Sequence, residues 1–195
     1  MSKLTQALEE ITNWLRLNYP EDVSQFRAGL SIEKIKYITK NFPFVLPKEV
    51  IELYQFCDGE IMLGSDDLVL YSLQSALKWS PYWEAYKCKL NQNNHVLTIM
   101  HGCGKDVYYV LCNREETEYS PVWYASMGLK PLPFASSLTN LMLTVAECYK
   151  EGAYYAQLDR EFGYLRIEQD LKKVEKIFQK YNPKQIDSWR EIWIG

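Results

Sequence analysis

Two histidines and five cysteines bound the nucleophilic and metal chemistry open to this chain. His101 and Cys103 are the one place where an imidazole and a thiol stand close in sequence. A cysteine nucleophile needs a base within hydrogen-bond reach and a third group that orients the base. Residues two apart in a β-hairpin can share a face, so a thiol hydrolase built on Cys103 and His101 is conceivable. The plainer reading is a hairpin turn, which favours small residues; the other histidine, His95, lies at the far end of the same strand. Cys57, Cys88, Cys103, Cys112 and Cys148 are odd in number, scattered, and form no CxxC pair. That pattern fits reduced thiols better than a disulfide framework, and it lacks the ligand spacing of a zinc site.

Gly102-x-Gly104-Lys105 superficially suggests a phosphate loop. The Walker pattern requires a longer glycine spacing, Ser or Thr after the lysine, and a helix behind it; here Asp106 and a strand follow. A tight hairpin connection is the expectation. Asp58, Glu60, Asp66 and Asp67 form an acidic cluster with three open readings: a solvated loop, an acidic lip that receives Lys or Arg from a partner, or a divalent-cation site. Trp79, Trp83 and Tyr86 recur at helical spacing, which points to core packing over a ligand cage. No catalytic or metal-binding set emerges, and no cofactor is expected.

The elements that must position these residues centre on 44–60, FVLPKEVIELYQFCDGE. Pro47 suits the first position of a helix and Glu49 its first turn, where the helix dipole favours negative charge. Val50, Leu53, Tyr54 and Cys57 make one apolar stripe, widened by Ile51 and Phe56. Asp58-Gly59 ends it, with Gly59 free to adopt a left-handed conformation. Before this unit, Leu4, Leu8, Ile11 and Leu15 mark a helix that must end before Pro20. Ser31 caps a second helix carrying Ile32, Ile35 and Ile38. After it, 68–71 reads as a short strand, and Ser72 caps a helix that Pro81 should interrupt or restart. Residues 96–100 and 107–111 read as an antiparallel hairpin, 121–124 as a third strand and 132–134 as a proline-bearing edge strand. Ser136 or Ser137 opens a long helix over 138–149, stopped by Gly152. Ile167, Leu171, Val174, Ile177 and Tyr181 predict a last helix, ended by Asn182-Pro183, with Trp189 and Trp193 folding back on the body. Helices, then strands, then helices make an α+β chain.

Bulk properties agree. A chain of 195 residues fits one domain and buries roughly 70% of its unfolded surface without staples. Six Trp and fifteen Tyr are many, so some must reach the surface, where aromatics serve interfaces. The net charge of −3 disfavours a general nucleic-acid or anionic-membrane binder. The acidic, amphipathic N-terminus is unlike a signal peptide, and the most apolar helix is far below spanning length, so a soluble, cytoplasmic protein is expected.

With the segments placed, the sequence resembles the SUKH superfamily, in its Smi-one/Knr-four branch. The resemblance rests on Leu46-Pro47 through Leu53-Tyr54 to Asp58-Gly59, on LVLYSLQSAL at 68–77, on the hairpin HGCGKDVYYVLC, on the aromatic strand at 121–124, and on the helix start ASSLTNLMLTVAECY. It spans about Ile32 to Tyr149. Glu60 departs from it, standing where a second glycine is often found, as do His101 and Cys103 in the hairpin turn. The resemblance implies a single non-enzymatic α+β domain, read here over 1–152 with a sheet of about four strands, antiparallel or mixed; the segment after Tyr149 reads as a lineage-specific addition, a helical extension over 153–195 packed on that domain. It further implies a protein-binding role. Bacterial members are associated with immunity, binding and blocking a cognate toxin domain; fungal members act as regulators of cell-wall synthesis and signalling. Asp58, Glu60, Asp66, Asp67, Asp106 and Trp83 are the residues expected to meet a partner, in the first case a basic toxin surface. No feature of the sequence sets an oligomeric state.

Overall fold

The computed structural model describes residues 1–20, 26–59, 61–64, 68–84, 94–102, 106–161 and 163–194. It is an α+β single domain. Among the described residues, α1 (Lys3–Asn18), α2 (Ile32–Ile38) and α3 (Lys48–Phe56) precede β1 (Val69–Leu70) and α4 (Leu73–Glu84). The strands β2 (Asn94–His101), β3 (Asp106–Asn113), β4 (Val122–Ser126) and β5 (Leu132–Ala135) follow, then α5 (Leu138–Lys150). The chain closes with β6 (Tyr154–Leu158), β7 (Leu165–Gln169), α6 (Leu171–Tyr181) and α7 (Ile186–Trp193). The main sheet is antiparallel in the order β1-β2-β3-β4-β5, and β6 and β7 form a separate two-stranded ribbon.

One face of the sheet presents Leu97, Tyr108, Val110, Tyr124 and Phe134 to the principal core, which α1, α3, α5, α6 and α7 complete. The opposite face carries a smaller cluster of Val96, Val107, Tyr109, Leu111 and Ala125, capped by Trp83 from α4. Alternation along β3 divides the two sets, as the two-residue period of a strand requires.

The α3 segment holds the helices in place through its carboxylates. Glu49 is only 3% exposed and accepts from the N–H groups of Ser120, Leu138 and Thr139 and from the Thr139 hydroxyl, so it caps α5. Glu52, one turn on, accepts from the Thr5 N–H at 3.1 Å and its hydroxyl at 2.6 Å, which ties down the start of α1. Asp58 accepts from the Leu73 N–H at 2.8 Å and so caps α4. Three acids from one stretch thus satisfy orphan donors at three helix N-termini, where the dipoles also favour negative charge. Burial pushes the Glu49 carboxyl above its ordinary value, against the lowering pull of its hydrogen bonds.

Most of the expected elements are present, with four differences. Pro47 stands one residue outside α3, and the helix's first N–H groups instead donate to the carbonyls of Thr117 and Glu118. Gly59 takes the expected left-handed φ of +85 but stands two residues beyond the C-cap Cys57, close against the backbone of Tyr71 and Ser72. The helix α4 runs unbroken through Pro81. The lost hydrogen bond costs about 3 kcal/mol, and the buried face of Leu73, Ala76, Ser80 and Trp83 offsets it. Because β1 is two residues long, α4 also flanks β2, where the Ser80 hydroxyl accepts from the Thr98 N–H. Finally, Ile167 belongs to a strand: the 153–195 extension begins with a hairpin before its helices. Asp170 separates the two by capping α6 through the N–H groups of Lys172 and Lys173.

The extension is part of the core. Val174, Ile177, Phe178, Ile186 and Trp189 join the principal cluster, and Trp189 lies 5.8 Å from Phe178. Outside that core, Lys180 donates to both Glu147 oxygens at 2.7 and 2.6 Å, and the Tyr181 hydroxyl donates to the same carboxylate. Lys180, then Tyr181, holds the Glu147 carboxyl below its usual 4.5. A lowered folded value means that this contribution is present above 4.5 and is lost as pH falls through the folded pKa. Glu147→Gln is therefore expected to lower the urea midpoint at pH 7, and the difference from the wild type shrinks towards pH 3. With Lys180 more than half exposed, solvent screening keeps the effect small.

Candidate partner-binding site

The capped start of α4 aims its far end across the edge of the sheet. Trp79 and Tyr82 stand three residues apart on its outer side, 44% and 53% exposed. Trp83 turns the other way and is 6% exposed, closing the small cluster against Val107 and Tyr109. The expected core stripe of Trp79 and Trp83 is thus split: the inward positions are Ala76, Ser80 and Trp83, and Trp79 falls outside them. Tyr86 lies outside the described residues.

Between α4 and the adjoining ends of β2 and β3 is a groove of about 450 Å³. Tyr71, Trp79 and Tyr82 form its aromatic wall, His101 and Asp106 its polar end, and Met127 its outer margin. The His101 ring packs 4.7 Å from Tyr71. Asp106 opens β3 opposite Ser126. Burial, and then the charge of the nearby Asp106, raise the Tyr124 phenol above its ordinary value. The Trp79 ring already receives one cation, with Lys78 Nζ 5.4 Å from its centroid.

The candidate residues therefore separate. Asp106 and Trp83 line one groove. Asp58 is half-buried and spends its carboxylate on the start of α4. Glu60, Asp66 and Asp67 lie outside the described residues. Sequence reasoning missed Tyr71, Tyr82 and Met127; the spacing of Trp79 and Tyr82 was the available signal, hidden by counting Trp79 in the same stripe as Trp83.

A second groove, about 360 Å³ between α1 and α5, is lined by Lys3, Glu10, Glu147 and Lys150. Its charges balance, and Glu147 is engaged by Lys180 and Tyr181. Among the described residues, no group of three or more His, Cys, Asp or Glu side chains is placed to hold a metal ion. Of the pair weighed for thiol chemistry, only His101 is described. Burial pushes the thiols of Cys57 and Cys148 up to about 12. Both are expected to resist alkylation by iodoacetamide at pH 8 in the folded protein and to react once it is unfolded, which peptide mass mapping reads directly.

The fold and the groove define a single-domain α+β protein with an open aromatic cleft at one edge of its sheet. Comparison with protein-family models and with curated proteins finds no match for the chain. No described helix is long and apolar enough to cross a membrane.

Proposed function

We propose that this chain is a non-catalytic protein-binding module that receives its partner in the groove between α4 and the ends of β2 and β3. The observation that supports this reading is the exposure of Trp79 and Tyr82 side by side over an open cleft. Large aromatics on a rigid helix lose little conformational freedom on binding, and such residues dominate interface energetics. The SUKH resemblance adds a partner class: a toxin domain that the module blocks by occupying its surface, inside the cytoplasm. Regulation of a cellular protein through the same fold is the alternative that the resemblance brings.

The test is direct binding to toxin domains encoded beside this chain, followed by calorimetry. Trp79→Ala is expected to weaken a complex at least about tenfold, by the usual scale of an interface anchor. The side chain is exposed, so the melting temperature should stay within about 2 °C of the wild type. Absence of any complex with those domains removes the immunity role. A complex indifferent to both Trp79→Ala and Tyr82→Ala removes the groove as the docking site.

A further inference from the structure

Resting on that reading, we infer that the groove selects an arginine side chain of the partner, stacked on the aromatic wall and paired with Asp106. Three observations converge. The groove is lined by the rings of Tyr71, Trp79 and Tyr82, and aromatic rings attract cations through their quadrupoles. The Trp79 indole already does so within the chain, taking Lys78 at 5.4 Å. The one carboxylate among the described lining residues is Asp106, which supplies the negative charge that a cation on those rings would meet.

Arginine fits this set better than lysine. Its planar guanidinium stacks on a ring while its edge makes parallel hydrogen bonds to a carboxylate, and it is the more weakly hydrated of the two cations. A lysine ammonium is a point charge that meets one of these demands at a time. The aromatic lining lowers the local dielectric, which strengthens the pairing with Asp106 relative to an exposed surface pair.

The experiment uses the isotopically labelled full chain and three peptides, acetyl-Gly-Xaa-Gly-Xaa-Gly-amide with Xaa as arginine, lysine or citrulline. Indole N–H shifts of Trp79 and Trp83 report occupancy. The arginine peptide is expected to shift the Trp79 signal saturably. The uncharged citrulline peptide should bind at least about tenfold more weakly, and the lysine peptide about threefold or more. Asp106→Asn keeps the side chain's shape, removes its charge and is expected to weaken the arginine peptide about five- to tenfold, flattening its salt dependence. Failure of the arginine peptide to bind overturns the inference. So does equal binding of arginine and citrulline, lysine matching arginine, or indifference to Asp106→Asn with an otherwise unchanged spectrum. A partner protein that still loses affinity on Trp79→Ala in those cases leaves the docking module standing and removes only its preference for arginine.

Discussion

Glu49→Ala is expected to cost about 3–5 kcal/mol of stability, from the range measured when one partner of a buried charged network is removed. The substitution strips acceptors from the N–H groups of Ser120, Leu138 and Thr139 at once. Glu49 is almost wholly enclosed, so water cannot replace them without opening the contact between α3, α5 and the start of β4. A domain of this size has roughly 5–15 kcal/mol in total, and a loss of 4 kcal/mol lowers its melting temperature by roughly 10 °C. Glu49→Gln keeps one carbonyl oxygen as an acceptor and should cost less than half as much. The pH dependence has a definite sign. The folded pKa lies above 4.5, so the group's contribution is fully present below that value and declines as pH rises through the folded pKa. Glu49→Gln does not titrate, and its deficit relative to the wild type should therefore narrow as pH rises across that window. Urea unfolding from pH 4 to 8 checks both statements; a deficit that widens with pH contradicts the second.

Gly59→Ala is the second large effect. At φ +85 an L side chain is strained by about 1–2 kcal/mol. The added methyl would also sit 2.3 Å from the Ser72 N and 2.6 Å from the Tyr71 carbonyl carbon, both backbone atoms that no rotamer can move. Overpacking of this kind costs about 1–3 kcal/mol more. The total, about 2–5 kcal/mol, falls on the joint where Asp58 caps α4 and where Tyr71 enters the groove. Gly59→Ala is therefore expected to lower both the melting temperature and partner affinity. Asp58→Asn, which keeps a cap acceptor, should do far less of either. Equal stability of Gly59→Ala and the wild type contradicts the close approach of the two segments.

These two positions show how differently fold and site can be read. The apolar stripe of α3 was legible because helical periodicity is a local property: Val50, Leu53, Tyr54 and Cys57 are all buried. The caps Ser31 and Ser137 were legible for the same reason, since each serves N–H groups two or three residues away. The β2–β3 hairpin followed from its β-branched and aromatic runs, and its register pairs His101 with Val107. By contrast, the strands β6 and β7 were hidden. Their residues are short, half-exposed and mixed in polarity, and Ile167 fitted a helical period equally well.

The sequence by itself determined the α+β class, most element positions and a core with no need of staples, because those follow from local spacing and total apolar content. It also named Asp106 and Trp83, and both line the groove between α4 and the sheet. Only the tertiary structure decided what the acids of 49–58 do. Their targets lie 15 to 90 residues away, and no local pattern encodes which helix start a carboxylate will meet. The groove is of the same kind. Tyr71, Trp79, Tyr82 and Asp106 become neighbours because a two-residue β1 lets α4 flank β2 and the hairpin returns beside it. Whether an aromatic belongs to core or cleft depends on which face of α4 meets the sheet, and tertiary contacts chose Trp83 for the inside and Trp79 for the surface.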